Sequence, residues 1–398
     1  MSRRVLVRRR ARVRGRTLIA TGLAAAASLI AGCAAAGSSS ITASGKSLTV
    51  YLSAPTGAAA NPEAQDVLAA EQLAFAQKQN EVGGFQLKLV TLRGAKLSDH
   101  ARAAINDTHA IAYIGELTPG DSTDSVGITN AEDLLQVSPT DTALELTQST
   151  PAVSGAPGRY YESLKTYGRT FARVVPNTVQ EAAALAQEMT SLGVKRLYVT
   201  DDGSSYGKAV AQAVRGRAPS AAITVASNAT DADAAFIGAA DAGFAARTFT
   251  RLAAANPALK LFGPSALEGP ALTSALSAAP AKLNLVISSP GFLARDLNPT
   301  GQSFVSGFTA AYGHAPARQA IFGYEAVAAL LDVLHQAGTQ ANNRATVVKN
   351  FFAIRNRASA LGTYSINPAT GDTSLNAFVF SRLRAGVLVP FKSTPAAG

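Results

Sequence analysis

Residues 110–115 read Ala-Ile-Ala-Tyr-Ile-Gly, and residues 134–138 read Leu-Leu-Gln-Val-Ser. Each is a short apolar run with β-branched or aromatic members, the pattern of a buried strand, and the first ends in a glycine turn. Upstream, Leu48–Leu52 and Phe85–Val90 read as two more strands. Between them Asn61-Pro62-Glu63 starts a helix: Asn caps it, Pro sits where its missing N–H costs nothing, and the acid faces the positive first turn. That helix is expected to run to about Glu81, where Gly83-Gly84 follows. A shorter helix is expected over Ser98–Asn106. Strands separated by helices imply parallel βαβ units with right-handed crossovers.

A second series follows a Ser-, Gly-, Pro- and Tyr-rich loop over Ser149–Gly168. Phe171–Val175 is strand-like, and Thr178 with Glu181 suggests a capping box for the next helix. Strands are expected at Arg196–Thr200, Ala222–Ala226, Ala234–Gly238, Leu259–Phe262 and Leu285–Ser288. Helices are expected at Tyr206–Arg217, Gly243–Ala255 and Pro270–Ser277. The last hundred residues mix helices (Gln302–Tyr312, Gln319–Gln336, Thr346–Arg355) with strands (Gly362–Ile366, Asn376–Leu383, Val387–Phe391). The fold class is therefore α/β, with two similar doubly wound, Rossmann-like lobes. Open α/β sheets bind ligands at the carboxyl ends of their strands, so a cleft between the lobes is the expected site.

The first 33 residues stand apart. Arg3, Arg4, Arg8, Arg9, Arg10, Arg12, Arg14 and Arg16 form a basic stretch, followed by an apolar run from Leu18 to Ile30. This has the form of a secretory signal. It ends in Ile30-Ala31-Gly32-Cys33, the form of a bacterial lipobox, and Cys33 is the only cysteine of the chain. Lipidation at Cys33 is expected, with an ordinary cleaved signal or an uncleaved anchor as alternatives; Ser2-Arg3-Arg4 leaves twin-arginine export open. The Ala-, Gly- and Ser-rich residues 34–46 read as a flexible tether.

The formal charge of +10 falls to about +2 once the eight leader arginines are set aside. Such a domain gives no reason to expect nucleic acid. Without cysteine beyond Cys33, disulfides and thiolate metal sites are excluded. His100, His109, His314 and His335 are scattered without metal spacing, and no phosphate-binding loop of the GKS/T kind occurs, so neither metal nor cofactor is expected. No later apolar run has the length of a membrane span.

Gly203-Ser204-Ser205-Tyr206-Gly207 matches the G-x-S-x-G form of a hydrolase nucleophile elbow and lies between strand and helix. No HGGG-like oxyanion segment accompanies it, and no partner for a triad histidine is suggested. The competing reading is a plain strand–turn–helix junction, and no enzyme is expected.

The order of segments resembles the type 1 periplasmic binding proteins, particularly the leucine/isoleucine/valine-binding receptors of ABC transporters. The resemblance spans roughly Lys46 to Phe391. It is carried by Ala112–Gly115, Val137–Thr142, Phe171–Pro176, Val199–Gly207 and Phe262-Gly263-Pro264. It implies three chain crossings between the lobes, placed near Phe171–Val175, Ser288–Phe292 and Leu361–Ile366. One lobe would then hold residues 47–170 and 292–360, the other 171–291 and 361–391, with 392–398 as a tail. It further implies a small polar ligand, an ABC permease partner and an extracytoplasmic location at the membrane. The matching ligand positions are Leu117, Thr118, Ser138, Asp141 and Thr142 in the first lobe, with Asp241 and Glu268 in the second. A purely structural role for Ser138–Thr142, as a cap, is the alternative. The sequence departs from the family at Pro119, where a carboxylate-binding serine is expected. It also departs at Ala240-Asp241, in place of a tyrosine, and at Ser265, in place of an acid. Amides, urea and aromatic acids stand beside amino acids as ligand classes, and a sensor receptor or a non-binding envelope lipoprotein as other functions.

Overall fold

The computed structural model describes residues 40–57, 61–78, 81–162, 168–277 and 283–394. The leader, Cys33 and residues 34–39 of the expected tether lie outside them. Ser40–Lys46 is docked rather than free. The Ala43 N–H donates to Asn342 O (2.7 Å), the Ser44 N–H to Thr108 O (2.8 Å), and Ile41 O accepts from the Arg344 N–H (3.0 Å). Ala43 is buried.

Strands β1 (Ser47–Pro55), β2 (Glu81–Val82), β3 (Phe85–Gly94), β4 (Ala110–Ile114), β5 (Leu135–Ser138) and β6 (Phe171–Arg173) form the first sheet, in the order β2-β3-β1-β4-β5-β6. All pairings are parallel except β2 with β3. Helices α1 (Pro62–Gln77), α2 (Leu97–Asn106) and α3 (Val126–Ala131) complete this half of the chain. The Asn61 side chain caps α1 as expected, accepting from the Glu63 N–H at 3.0 Å. The apolar face of α1 joins β1, β4 and β5 in the main core of the lobe, and α2 covers the opposite face near Tyr51 and Tyr113.

The second half opens with α4 (Thr178–Ser191), β7 (Arg196–Asp201), α5 (Ser205–Arg217), β8 (Thr224–Ala226), β9 (Ala234–Gly238), α6 (Ala242–Ala255), β10 (Lys260–Gly263), α7 (Pro270–Ala275) and β11 (Leu285–Pro290). The chain then returns through α8 (Pro299–Tyr312), α9 (Ala320–Ala337), α10 (Arg344–Phe352) and the small hairpin β12 (Arg357–Ser359)–β13 (Gly362–Tyr364), and ends in β14 (Phe378–Arg384) and β15 (Val387–Ser393). The second sheet has the order β15-β14-β11-β10-β9-β7-β8; β7 to β11 are parallel, and β14 and β15 add antiparallel. Buried residues of α4 and α5 cover one face of it, and those of α6 and α7 the other.

Three details differ from the sequence expectation. Phe171–Arg173 pairs with Gln136–Ser138 and so closes the first sheet instead of opening the second lobe. Leu361, Tyr364, Ile366, Leu375 and Ala377 pack into the first lobe's core, which moves the third crossing to about residue 377. The cap of α4 is one residue earlier than Thr178: Asn177 accepts from the Val179 and Gln180 N–H groups, and Gln180 Oε1 accepts from the Asn177 N–H. Thr178 is already the first helical residue, and its hydroxyl donates to Thr142 O (2.9 Å), which leaves the cap to Asn177.

At the crossings sits Arg173, fully buried. Its Nε donates to Asp372 Oδ1 (2.9 Å), Nη1 to Asp141 O and Ala143 O (both 2.8 Å), and Nη2 to Thr147 Oγ1 (2.7 Å). The Asp372 carboxyl is held below its usual range chiefly by this guanidinium, against burial. Gly371 must be glycine: its φ is +78°, and a Cβ there would lie 2.2 Å from Phe171 O. Removing one partner of a buried, hydrogen-bonded pair leaves an uncompensated charge. Asp372→Ala should therefore cost about 3–5 kcal/mol, read as a lowered urea midpoint. Arg173→Met with Asp372→Leu in one chain removes the uncompensated charge but leaves the Asp141, Ala143 and Thr147 oxygens without their donor, so it should recover only part of that loss.

Candidate functional site

The carboxyl ends of the first sheet's parallel strands β1, β4 and β5 and of β10 in the second sheet converge on a cavity of about 310 Å³. The first lobe supplies the α1 N-terminus (Asn61–Ala64), the loop Leu117–Pro119, Thr140 and Thr142, together with Ala317 and Gln319. The second lobe supplies Ser265, Ala266 and the turn Glu268–Pro270. A neighbouring cavity of about 450 Å³ shares Asn61, Ala64, Leu117 and Thr118 and extends to Lys96, Ser98, Asp121 and Asp124.

Four of the seven expected ligand residues line this cleft: Leu117, Thr118, Thr142 and Glu268. The other three hold the loops. Ser138 Oγ donates to Glu116 O (2.7 Å) and accepts from the Asp141 N–H (2.9 Å). Asp141 is fully buried, and its carboxylate accepts from Gly120, Ser122 and Ala143 N–H at 2.7, 2.9 and 3.0 Å. It ties the two cleft loops together and has no room for a ligand ammonium. Asp241 is exposed and caps α6, accepting from the Phe244 N–H at 2.9 Å.

Thr142 is held from both sides. The carbonyls of Asp141 and Ala143 are pinned by Arg173, and the Thr142 carbonyl accepts from Thr178 N–H and Oγ1 at the start of α4. Its own Oγ1 is buried beside the Tyr206 hydroxyl and has no protein partner in bonding geometry among the described residues. Across the cleft, Glu268 pairs with Arg318, joining second lobe to first. The Glu268 side chain is 4% exposed, and its Oε2 is buried with no protein partner among the described residues. Glu63, whose Oε1 accepts from the Gln319 N–H (2.9 Å), is raised by burial, with the Arg318 charge pulling the other way. Glu63 and Arg318 were not singled out as ligand residues from the sequence. Asn61-Pro62-Glu63 was legible only as a helix start, and nothing links Arg318 to Glu268 before the chain folds.

Two buried carboxyls stand behind the loops. Glu116 accepts from Ser53 Oγ and from Tyr113 Oη (2.5 Å); burial pushes it up to about 7, with both hydroxyls partly offsetting the shift. Glu181 on α4 accepts from Ser265 N–H (2.6 Å), Ser265 Oγ (3.1 Å) and Ser288 Oγ (2.6 Å), and burial pushes it to about 7 as well. Ser265, where the resemblance led one to expect an acid, is thus a partner for an acid on another element.

The G-x-S-x-G segment is accounted for by its turn. Ser204 Oγ caps α5, accepting from the Gly207 N–H (2.9 Å), while Ser205 is exposed. A Cβ at Gly207 would lie 2.1 Å from Asp202 Oδ1 and 2.6 Å from Gly238 O, so helix and strand approach too closely for any other residue. Asp202 in turn accepts from Ala240 and Asp241 N–H. Tyr161 donates to Leu146 O (2.6 Å) and anchors its loop. Among the described residues no group of histidines and acids has metal-binding geometry.

Solved structures carry the same architecture. A leucine-binding protein from Thermotoga maritima superposes with a TM-score of 0.68 at 20% identity, over 87% of this chain and 98% of its own. An ABC transporter substrate-binding protein from Desulfitobacterium hafniense in complex with Leu gives 0.67 at 20% identity, over 87% and 100%. A solute-binding protein of an ABC transporter from R. palustris in complex with benzoate gives 0.63 at 20% identity, over 88% and 98%. The chain has the two-lobed type 1 periplasmic binding fold. No protein-family model matches it, and no curated sequence does. At these identities the likeness concerns the fold; two of the three structures are named for leucine and the third for benzoate.

Glu116 and Glu181, with the other carboxyls that burial raises (Glu63, Glu71, Asp121, Asp141, Glu145 and Glu325), set a pH dependence. A carboxyl raised in the fold stabilises fully below its unfolded pKa; for Glu116 and Glu181 that is near 4.5, and their contribution is lost as pH rises through about 7. The loss is at most on the order of 3 kcal/mol for each of these two. Urea unfolding should show lower stability at pH 8 than at pH 5, and Glu116→Gln should reduce the difference. The lowered aspartates Asp107, Asp202, Asp332 and Asp372 act in the opposite sense and only at lower pH, as they protonate.

Proposed function

We propose that this chain is an extracytoplasmic solute-binding lipoprotein, held to the membrane through lipid on Cys33, which captures a small polar molecule and delivers it to an ABC permease. The observation that carries the reading is a cleft of about 310 Å³ lined from both lobes, with Thr142 on one wall and Glu268 on the other. Its size is that of small-molecule sites. A protein serving only as an envelope scaffold would fill such a space with its own side chains. The Thr142 hydroxyl can accept a hydrogen bond, and Glu268 carries a carboxylate. A protonated amine donates to both, so amino acids and amines fit better than simple acids. Pro119 is consistent with this, since it provides neither a hydroxyl nor an N–H for a carboxylate.

Closure on the ligand exchanges water for preorganised partners, with motion absorbed at the crossings. Among the described residues no helix is long and apolar enough to cross a membrane.

A thermal-shift panel of free amino acids, amines, amides and aromatic acids tests the reading. A ligand at 100 times its dissociation constant should add about 2.7 kcal/mol of stability. Glu268→Gln should weaken its binding by about 1.5–3 kcal/mol and Thr142→Ala by about 1 kcal/mol. Asp241→Ala should leave affinity unchanged. A panel without any shift, or a ligand indifferent to both cleft variants, contradicts the proposal.

A further inference from the structure

A surface cavity of about 550 Å³ lies on the first lobe, away from the cleft. Its floor is apolar, from Val348, Phe352 and Pro368, and every charged residue lining it is a cation: Arg169, Lys349 and Arg355. None of the three makes an ion pair among the described residues. Arg169 is held over the Tyr161 ring at 5.1 Å and by a bond to Thr147 O. Arg355 is fixed through Nη1, which donates to Phe352, Ile354 and Ile366 carbonyls. Two cations are therefore preoriented, with guanidinium N–H groups left over, and the Lys349 ammonium beside them has no hydrogen-bond partner among the described residues. By contrast Arg357, two residues beyond Arg355, is fully engaged by Glu325 and Asp332.

The position of this groove says what could reach it. Arg169 precedes the amino end of β6, the end of the sheet opposite the cleft. The start of the described chain is at that same end: Ile41 O accepts from the Arg344 N–H at the first residue of α10, and Ser44 bonds Thr108 before β4. Lys349 lies five residues along α10, about 8 Å from that point at 1.5 Å per residue. Eight residues separate Ile41 from Cys33, a reach of at most about 28 Å.

We propose that this groove is a seat for the phosphate-diester headgroup of an anionic phospholipid, which rests the free receptor on the membrane with its cleft open to solvent, a seat it must leave before it turns the cleft to the permease. The proposal rests on the lipid-anchor reading for the distance to the bilayer. Guanidinium groups suit phosphate because their N–H groups match its oxygens, while the apolar floor accepts the glycerol backbone. Near an anionic surface each such cation should strengthen binding by about fivefold.

The test uses the processed protein on vesicles of phosphatidylcholine alone and of phosphatidylcholine with phosphatidylglycerol, read by flotation and by hydrogen exchange. Flotation with neutral vesicles reports the anchor by itself. The expected result is slower exchange over residues 345–356 and 366–371 on the anionic vesicles only, lost in 0.5 M salt (roughly a 4 Å screening length) and lost in the triple variant R169Q/K349Q/R355Q. A melting temperature unchanged in that variant shows that the fold is intact. If the protein does not float with neutral vesicles, the anchor reading fails. The groove is then read directly, as flotation with anionic vesicles that falls by more than tenfold in the triple variant. Equal exchange on both vesicle types overturns the proposal, as does slowing that requires a co-reconstituted permease, which would assign the groove to a protein partner.

Discussion

The structure depends on one buried cation. Arg173 has no exposed surface, and a guanidinium can neither be deprotonated nor left unpaired in such a place. Every element around it is arranged to meet its N–H groups: the Asp372 carboxylate from the third crossing, Thr147 from the loop beyond β5, and the carbonyls of Asp141 and Ala143. Those carbonyls flank Thr142. The requirement to satisfy one buried charge therefore also fixes the residue that faces the cleft, and it joins the first-lobe loop to the segment through which the lobes are connected.

Around this centre the cleft loops are built from side chain to backbone bonds. Asp141 draws in the amides of Gly120 and Ser122, and Ser138 bridges Glu116 to Asp141. On the opposite wall Glu181 gathers Ser265 and Ser288, and so positions the turn that carries Glu268. Both walls are thus backed by carboxyls buried out of water, Glu116 and Glu181. The pair between Glu268 and Arg318 is the one charged link across the opening among the described residues, and an incoming cation would compete with Arg318 for the same carboxylate.

Much of this was legible in the sequence, for identifiable reasons. The strands at 110–114 and 135–138 announced themselves because a strand covered on both faces must be apolar throughout. The start of α1 was legible because Asn, Pro and an acid each have a local reason to be there. Roles that depend on long-range partners were not. Asp141 and Ser138 look like ligand groups until the loop closes on them, and Asp241 looks like one until α6 begins. Arg173 lay within a quoted segment, but nothing nearby shows that its partner is 199 residues away. Leu361–Ile366 was read as a crossing because apolar residues in a strand-like run carry no mark of which core will bury them.

The central claim is that the two walls of the cleft act together on one ligand. Its most direct test is amide hydrogen exchange on the protein with and without whichever amine or amino acid raises its melting temperature. The account predicts that exchange slows at Leu117–Asp121 of the first lobe and at Ser265–Gly269 of the second, over the same ligand concentrations. Protection confined to one lobe, or found only outside both segments, would contradict it.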